Sequence, residues 1–244
     1  MAIAKTAELV KVSPHNASMS LLELQVATHD FDAFKGGRYI IINTGLPLGD
    51  DKTIKRAYSV LACDPATKRV TIGVKPIDFG SASRFMATAA EGSVFSYSGP
   101  WGKLEVPPFD FEKSMPNHAI LLLASYTGMS AIIGLLNEVT ASLYAIDLVW
   151  YRPDSSYFLD DQMVHELARE KRVQLTIVDC PGVDDAGQSN FFLESLGGIL
   201  NKPYQYALIA GDGRVNRIAR AILEDQGLSS DKIIEEIFFN KAKN

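Results

Sequence analysis

The sequence predicts two domains: an antiparallel β-barrel domain over residues 1–107, then a doubly wound parallel α/β domain over 118–244, joined by a linker at 108–117. Three observations carry this reading. Up to about residue 107, short β-rich runs alternate with turn residues. The stretch "VPPFDFEKSMPN" at 106–117 then brings the prolines and mixed polarity of a connector. Beyond it, continuous apolar strands alternate with segments of helical period, the pattern of a parallel sheet covered on both faces.

The barrel runs are "LLELQVAT" (21–28), "RYIIINT" (38–44), "RAYSVLACD" (56–64), "RVTIGVKPI" (69–77) and "SVFSYSG" (93–99). Between the third and fourth, "DPATK" (64–68) is a hairpin connection of turn formers. Only "SASRFMATAA" (81–90) breaks the rhythm, with helical spacing and a serine at its start. In the second half, "HAILLLAS", "AIDLVWYR" and "VQLTIVD" are strands, interleaved with the helical segments "MSAIIGLLNEVTAS" and "DDQMVHELAREK". A later round follows: "FFLESLGGIL" as helix, "YQYALIAG" as strand and "RVNRIARAILEDQG" as helix.

Composition narrows the function. The chain has 244 residues, 47% hydrophobic and 22% charged, enough for one large core or two modest ones. A net charge of −5 with no broad basic face argues against nucleic acid and against anionic membranes as partners. Small molecules or proteins are the expected partners. Cys63 and Cys180 lie far apart and in no C-x-x-C or Cys/His cluster, so no metal site is expected and a reducing cytoplasm is the simplest location. The N-terminus lacks a long apolar core, and no apolar run approaches the roughly 20 residues of a spanning helix, so the chain reads as soluble and unprocessed. "HELAR" at 165–169 places Arg169 where a metalloprotease helix needs its second histidine, which leaves His165 as an exposed helix residue.

The chemistry concentrates in "KRAYSV" (55–60). Taken singly, an arginine on a strand pairs with a carboxylate and a strand tyrosine packs. The spacing adds a second reading. Arg56 and Tyr58 project to one face and Ser59 to the other, unless a bulge re-aims it. A flat aromatic ligand with a phosphate tail would use all three: guanidinium to phosphate, ring against ring, and hydroxyl to a ring nitrogen. "GSAS" (80–83), opening the one helix of this half, is either a plain N-cap or a place for a phosphate against unpaired amides.

R-x-Y-S at 56–59, "VK" at 74–75, G-x-x-S at 80–83 and "GPWGKL" at 99–104 occur in an order that resembles the ferredoxin-NADP+ reductase superfamily of flavoproteins, here without an iron–sulfur domain. The likeness covers nearly the whole chain. It implies a six-stranded barrel holding a flavin, usually FAD with FMN as the alternative, and a second domain taking NADH or NADPH. Carried over, Arg56 contacts the flavin phosphate, Tyr58 covers the isoalloxazine, and Ser59 hydrogen-bonds near N5. Val74 and Lys75 lie along the flavin through their backbone. Gly80, Ser81, Ala82 and Ser83 offer amides to the pyrophosphate. Phe238, in "EEIFFN", is the candidate for the aromatic that approaches the flavin near the C-terminus, with a core position in a last strand as the other reading.

The nucleotide half departs from the family. The glycine-rich turn G-G-T-G-I-T-P reads "SYTGMSA" (125–131): Thr127 and Gly128 remain, while Ser125 and Tyr126 replace glycines. A tyrosine there either crowds the pyrophosphate or lines the site and stacks. The family's C-G-P-x-x-M reads "AGDGRV" (210–215), keeping Gly211 but with Ala210 for cysteine and Asp212 for proline. Asp212 would repel a pyrophosphate unless it accepts ribose hydroxyls or pairs with Arg214 or Arg217. Arg152 stands where the family often has a nucleotide-binding arginine, and a strand-end salt bridge is the alternative. Asp179 at the end of the third strand disfavours a 2′-phosphate, a lean towards NADH.

The activity so implied is hydride transfer from NAD(P)H to FAD, then passage of electrons to a protein acceptor such as a ferredoxin, flavodoxin or oxygenase component. The altered motifs keep two other readings open: a flavin-bearing electron-transfer subunit with a degenerate nicotinamide site, and a non-enzymatic binding protein that retains the fold.

Overall fold

The computed structural model describes residues 5–16, 19–50, 52–77, 80–106, 119–138, 145–155, 157–181 and 185–239. Two compact units result, Met1–Gly102 with Ile133–Glu138, and Lys103–Ile132 with Val139–Asn244. The expected linker 108–117 falls outside the described residues.

The first unit is a closed antiparallel barrel of β1 (Lys5–Asn16), β2 (Met19–Val26), β3 (Tyr39–Gly49), β4 (Lys52–Asp64), β5 (Arg69–Val74) and β6 (Val94–Trp101), in the spatial order β1-β2-β5-β4-β3-β6. Period-two alternation drives the closure. On β5, Val70, Ile72 and Val74 are buried between half-exposed neighbours, and they meet Leu22, Leu24, Ile40, Ile42 and Val60 in one apolar cluster. Two short helices, α1 (Thr28–Phe31) and α2 (Ser81–Ala87), add Phe31 and Met86 to that cluster. The "DPATK" turn is built as expected: the Asp64 carboxylate accepts from the Ala66 amide at 2.9 Å and from the Thr67 hydroxyl at 2.6 Å. These bonds, that of Thr67 first, hold its carboxyl below the ordinary value.

β1 is an addition to the runs read from sequence. Only Ala7 and Leu9 of its 12 residues are buried, so its local pattern is weak; its place is set by pairing with β2 on one side and β6 on the other.

The second unit is a five-stranded sheet of β7 (Ala119–Ser125), β8 (Ala145–Arg152), β9 (Gln174–Asp179), β10 (Tyr204–Asp212) and β11 (Ile233–Phe239), ordered β11-β10-β7-β8-β9. Every pairing in it is parallel. α3 (Met129–Glu138), α4 (Asp161–Glu170), α5 (Asp185–Ile199) and α6 (Gly213–Asp225) follow successive strands. β7 is buried at all seven positions, as its unbroken apolar run requires, whereas β9 at the sheet edge is only half-buried. The Asp160 carboxylate caps α4 by accepting from the Gln162 amide at 2.8 Å, and His165 is exposed on that helix. Strand order reverses between β7 and β10, which makes the crevice beyond their carboxyl ends the switch point of the sheet. Among the described residues, no helix is long and apolar enough to cross a membrane.

Candidate functional site

In the barrel unit, β4 and β5 bring the sequence-predicted residues to one end. Val60 pairs with Ile72, so the segments beyond that pair, Arg56–Ser59 on β4 and Val74–Lys75 leaving β5, run to the same end of the barrel. Tyr58 and Ser59 are buried and Arg56 is exposed. Among the described residues, the Arg56 guanidinium makes one hydrogen bond, to the Lys55 carbonyl at 2.8 Å. The Tyr58 hydroxyl is buried with no hydrogen-bond partner among the described residues. Burial raises its pKa to about 12, against the opposing pull of the Arg56 charge, so at neutral pH it is a protonated donor.

Val74 points into the barrel core, and Lys75, half-buried, follows it. α2 opens at Gly80, where an added Cβ would lie 2.3 Å from the exposed Ile77 side chain, so a larger residue would require that side chain to move. Ser83 Oγ donates to the Gly80 carbonyl at 3.1 Å and accepts from the Ile77 amide at 3.2 Å, closing the turn on itself. Ala82 is buried beneath the helix, and Ser81 is exposed at its start.

In the α/β unit, residues at or beyond the ends of β8 and β9 meet at Tyr126, just past the end of β7. Here β7 ends at Ser125 and the chain passes through one 3-10 turn, Tyr126–Gly128, into α3. Tyr126 has φ of 54°, the left-handed region that favours glycine. Its carbonyl accepts from Trp150 Nε1 at 3.1 Å, its hydroxyl donates to Cys180 just beyond β9, and its ring meets Tyr157 edge-on with centroids 6.1 Å apart. Burial pushes the phenols of Tyr126 and Tyr157 and the thiol of Cys180 each up to about 12.

Gly128 and Gly211 are dictated by close approach. A Cβ on Gly128 would sit 2.1 Å from the Ala210 carbonyl oxygen, and one on Gly211 would sit 2.3 Å from that of Ser125. Ser125 Oγ accepts from the Asp212 amide at 2.7 Å. The Asp212 carboxylate caps α6 through the Arg214 amide at 2.7 Å and faces Arg214 Nη2 at 3.4 Å, which also donates to Gln188 at 3.1 Å. Thus Asp212 pairs with Arg214; Arg217 lies instead along a groove between α5 and α6. Arg152 is buried, with Nε donating to Asp179 at 2.7 Å, a second ion pair to Asp161, and its guanidinium over the Trp150 ring. That is the strand-end salt bridge. Thr127 is half-buried in the turn, and Phe238 is half-buried near the end of β11.

Neither the family models nor the curated proteins match this sequence. Solved structures do. A ferredoxin-NADP+ reductase from Plasmodium falciparum superposes with TM-score 0.72 at 14% identity, each chain covered to 95%. The siderophore-interacting protein of Acinetobacter baumannii gives TM-score 0.72 at 15% identity over 100% of this chain and 93% of that one. A flavohemoglobin from Malassezia yamatoensis, solved with bound FAD and heme, gives TM-score 0.72 at 16% identity over 97% of this chain and 61% of that one. The chain therefore spans about three fifths of the flavohemoglobin's length. The two units carry the ferredoxin-NADP+ reductase fold.

Within this reductase fold, the barrel end suits a flavin. Its donor set holds one buried hydroxyl without a protein partner and one exposed guanidinium bound only to a neighbouring carbonyl among the described residues, the chemistry a phosphate-bearing ligand would complete. In the α/β unit, by contrast, the charged side chains of Arg152, Asp212 and Arg214 engage one another or nearby protein groups. Nothing in the sequence signalled the contacts made by Trp150, Tyr157, Cys180 and Gln188. Those four lie on separate elements, and no local motif links them.

Proposed function

We propose that the chain is a flavin-dependent oxidoreductase whose barrel unit holds FAD, takes reducing equivalents from NADH or NADPH, and passes electrons to a protein acceptor such as a ferredoxin, flavodoxin or oxygenase component. The observation that carries this is the buried, unpartnered hydroxyl of Tyr58 beside Arg56. A buried donor without an acceptor costs free energy, and a ligand that accepts from it removes that cost.

In this reading Arg56 grips the phosphate bidentately, Tyr58 donates a hydrogen bond while staying protonated, and the Gly80–Ser83 turn sets the backbone beside them. Ser59 and Phe238 are the further residues assigned to the flavin's ring. Bound flavin supplies the redox chemistry, accepting a hydride and releasing electrons singly. The chain's share is orientation and the exclusion of water.

A second reading is favoured by one observation. With Arg152 between two carboxylates and Asp212 capping α6, the α/β unit offers few open groups for a dinucleotide, which supports a flavin-bearing electron-transfer subunit. Purification tests both: a yellow protein, or a colourless one that takes up FAD or FMN, is expected, and refusal of both flavins would remove the redox assignment. Anaerobic bleaching by NADH or NADPH then separates reductase from subunit. Reoxidation by ferredoxin, flavodoxin or a ferric chelate sorts the acceptors, the last arm suggested by the siderophore-interacting protein of like fold. Arg56→Ala should weaken flavin retention by about 1–3 kcal/mol, and unchanged retention would withdraw the phosphate contact.

A further inference from the structure

We propose that Tyr126 determines nucleotide access to the α/β unit: its ring stands in the switch-point crevice, and a dinucleotide binds there only when the ring is displaced. The proposal rests on reading this crevice as a nucleotide site.

The first support is conformational. Tyr126 sits at φ of 54°, where a side chain bearing a Cβ is strained and glycine is not. Such a residue persists only when its surroundings hold it. Here the holding groups come from three other segments: Trp150 Nε1 on the backbone carbonyl, Cys180 receiving the hydroxyl, and Tyr157 against the ring edge. Tyr126 is thus fastened through its backbone, its hydroxyl and its ring at the end of β7, beside the point where strand order reverses.

The second support is the fate of the donors around the turn. The Asp212 amide is taken by Ser125 Oγ at 2.7 Å, the Arg214 amide by the Asp212 carboxylate at 2.7 Å, and Arg214 Nη2 by Gln188 at 3.1 Å. The Tyr126 phenol and the Asp212 carboxylate thus lie near each other at the edge a pyrophosphate would approach. The Gly128 and Gly211 backbones still pack as a close pair, so the platform beneath the ring keeps the shape a dinucleotide needs. Obstruction therefore resides in one side chain rather than in a rebuilt sheet edge.

The test uses ADP-ribose as probe, titrated by calorimetry into the full chain, so that the readout does not depend on whether flavin is present. Tyr126→Gly, which also relieves the left-handed strain, should tighten ADP-ribose binding at least tenfold over the unsubstituted chain. Tyr126→Phe keeps the ring and should bind within about threefold of it. The proposal is overturned if Tyr126→Gly binds no tighter or more weakly, since the ring would then be neutral or a ligand, or if Tyr126→Phe alone matches the gain of Tyr126→Gly. Colour and flavin uptake, measured on the same preparations, report separately on the redox assignment.

Discussion

Replacing Tyr58 by phenylalanine separates a ligand-binding hydroxyl from a merely buried one, because both readings predict a more stable empty protein but only the first predicts a loss of flavin affinity. The side chain is 9% exposed, its ring belongs to the barrel's apolar cluster, and its hydroxyl has no partner among the described residues. In the flavin-free chain that hydroxyl is desolvated without compensation, a cost of about 1–3 kcal/mol that Tyr58→Phe abolishes while leaving the ring in place. At about 2–4 °C per kcal/mol for a chain of this size, the flavin-free Tm should rise by roughly 2–12 °C. If flavin accepts from the hydroxyl, the same substitution deletes one hydrogen bond of about 0.5–1.5 kcal/mol, so flavin affinity should fall roughly 2–10-fold. Scanning calorimetry on deflavinated protein and fluorescence titration with FAD give the two numbers. A raised Tm with unchanged FAD affinity would refute the reasoning, leaving Tyr58 as packing alone.

Three further outcomes follow from the geometry. Asp212→Ala should lower the stability of the α/β unit in urea by about 1–2 kcal/mol through loss of the α6 cap and the Arg214 pair, while Asp212→Asn, which still caps, should cost less; equal losses would argue against a capping role. Gly128→Ala forces a Cβ to 2.1 Å from the Ala210 carbonyl and should destabilise by about 1–3 kcal/mol or more, whereas Gly197→Ala on α5, with open space around it, should stabilise by about 0.5–1 kcal/mol; urea midpoints compare the two. Tyr58, Tyr126, Tyr151 and Tyr157 are all raised to about 12 by burial. The folded state therefore holds these protons more tightly than the unfolded one, so the stability they contribute is complete below about pH 10 and is lost as pH rises towards 12. Urea unfolding at pH 9 and pH 11, with tyrosinate absorbance followed alongside, should show that loss, and equal stability at both would contradict it.

The amino-acid sequence by itself determined the order of elements. Local period suffices for that: two on β5, where Val70, Ile72 and Val74 alternate with half-exposed residues, and an unbroken apolar run on β7, buried throughout. The "DPATK" turn was legible because turn chemistry selects residue types locally, whereas Gly128 and Gly211 stood out only through the family resemblance, and the close approaches to Ala210 and Ser125 that require them are tertiary. β1 escaped because its short buried stretch gains its place only by closing the barrel with β6, more than 80 residues away in the chain. Only the tertiary structure decided what the charged and aromatic residues touch. Arg152 meets Asp161 and Asp179, Asp212 meets Arg214 and, through its amide, Ser125, and Tyr126 meets Trp150, Tyr157 and Cys180. Such pairs form where separate strands of a parallel sheet end side by side, and a separation of 87 positions between Ser125 and Asp212 leaves no periodic trace of their contact.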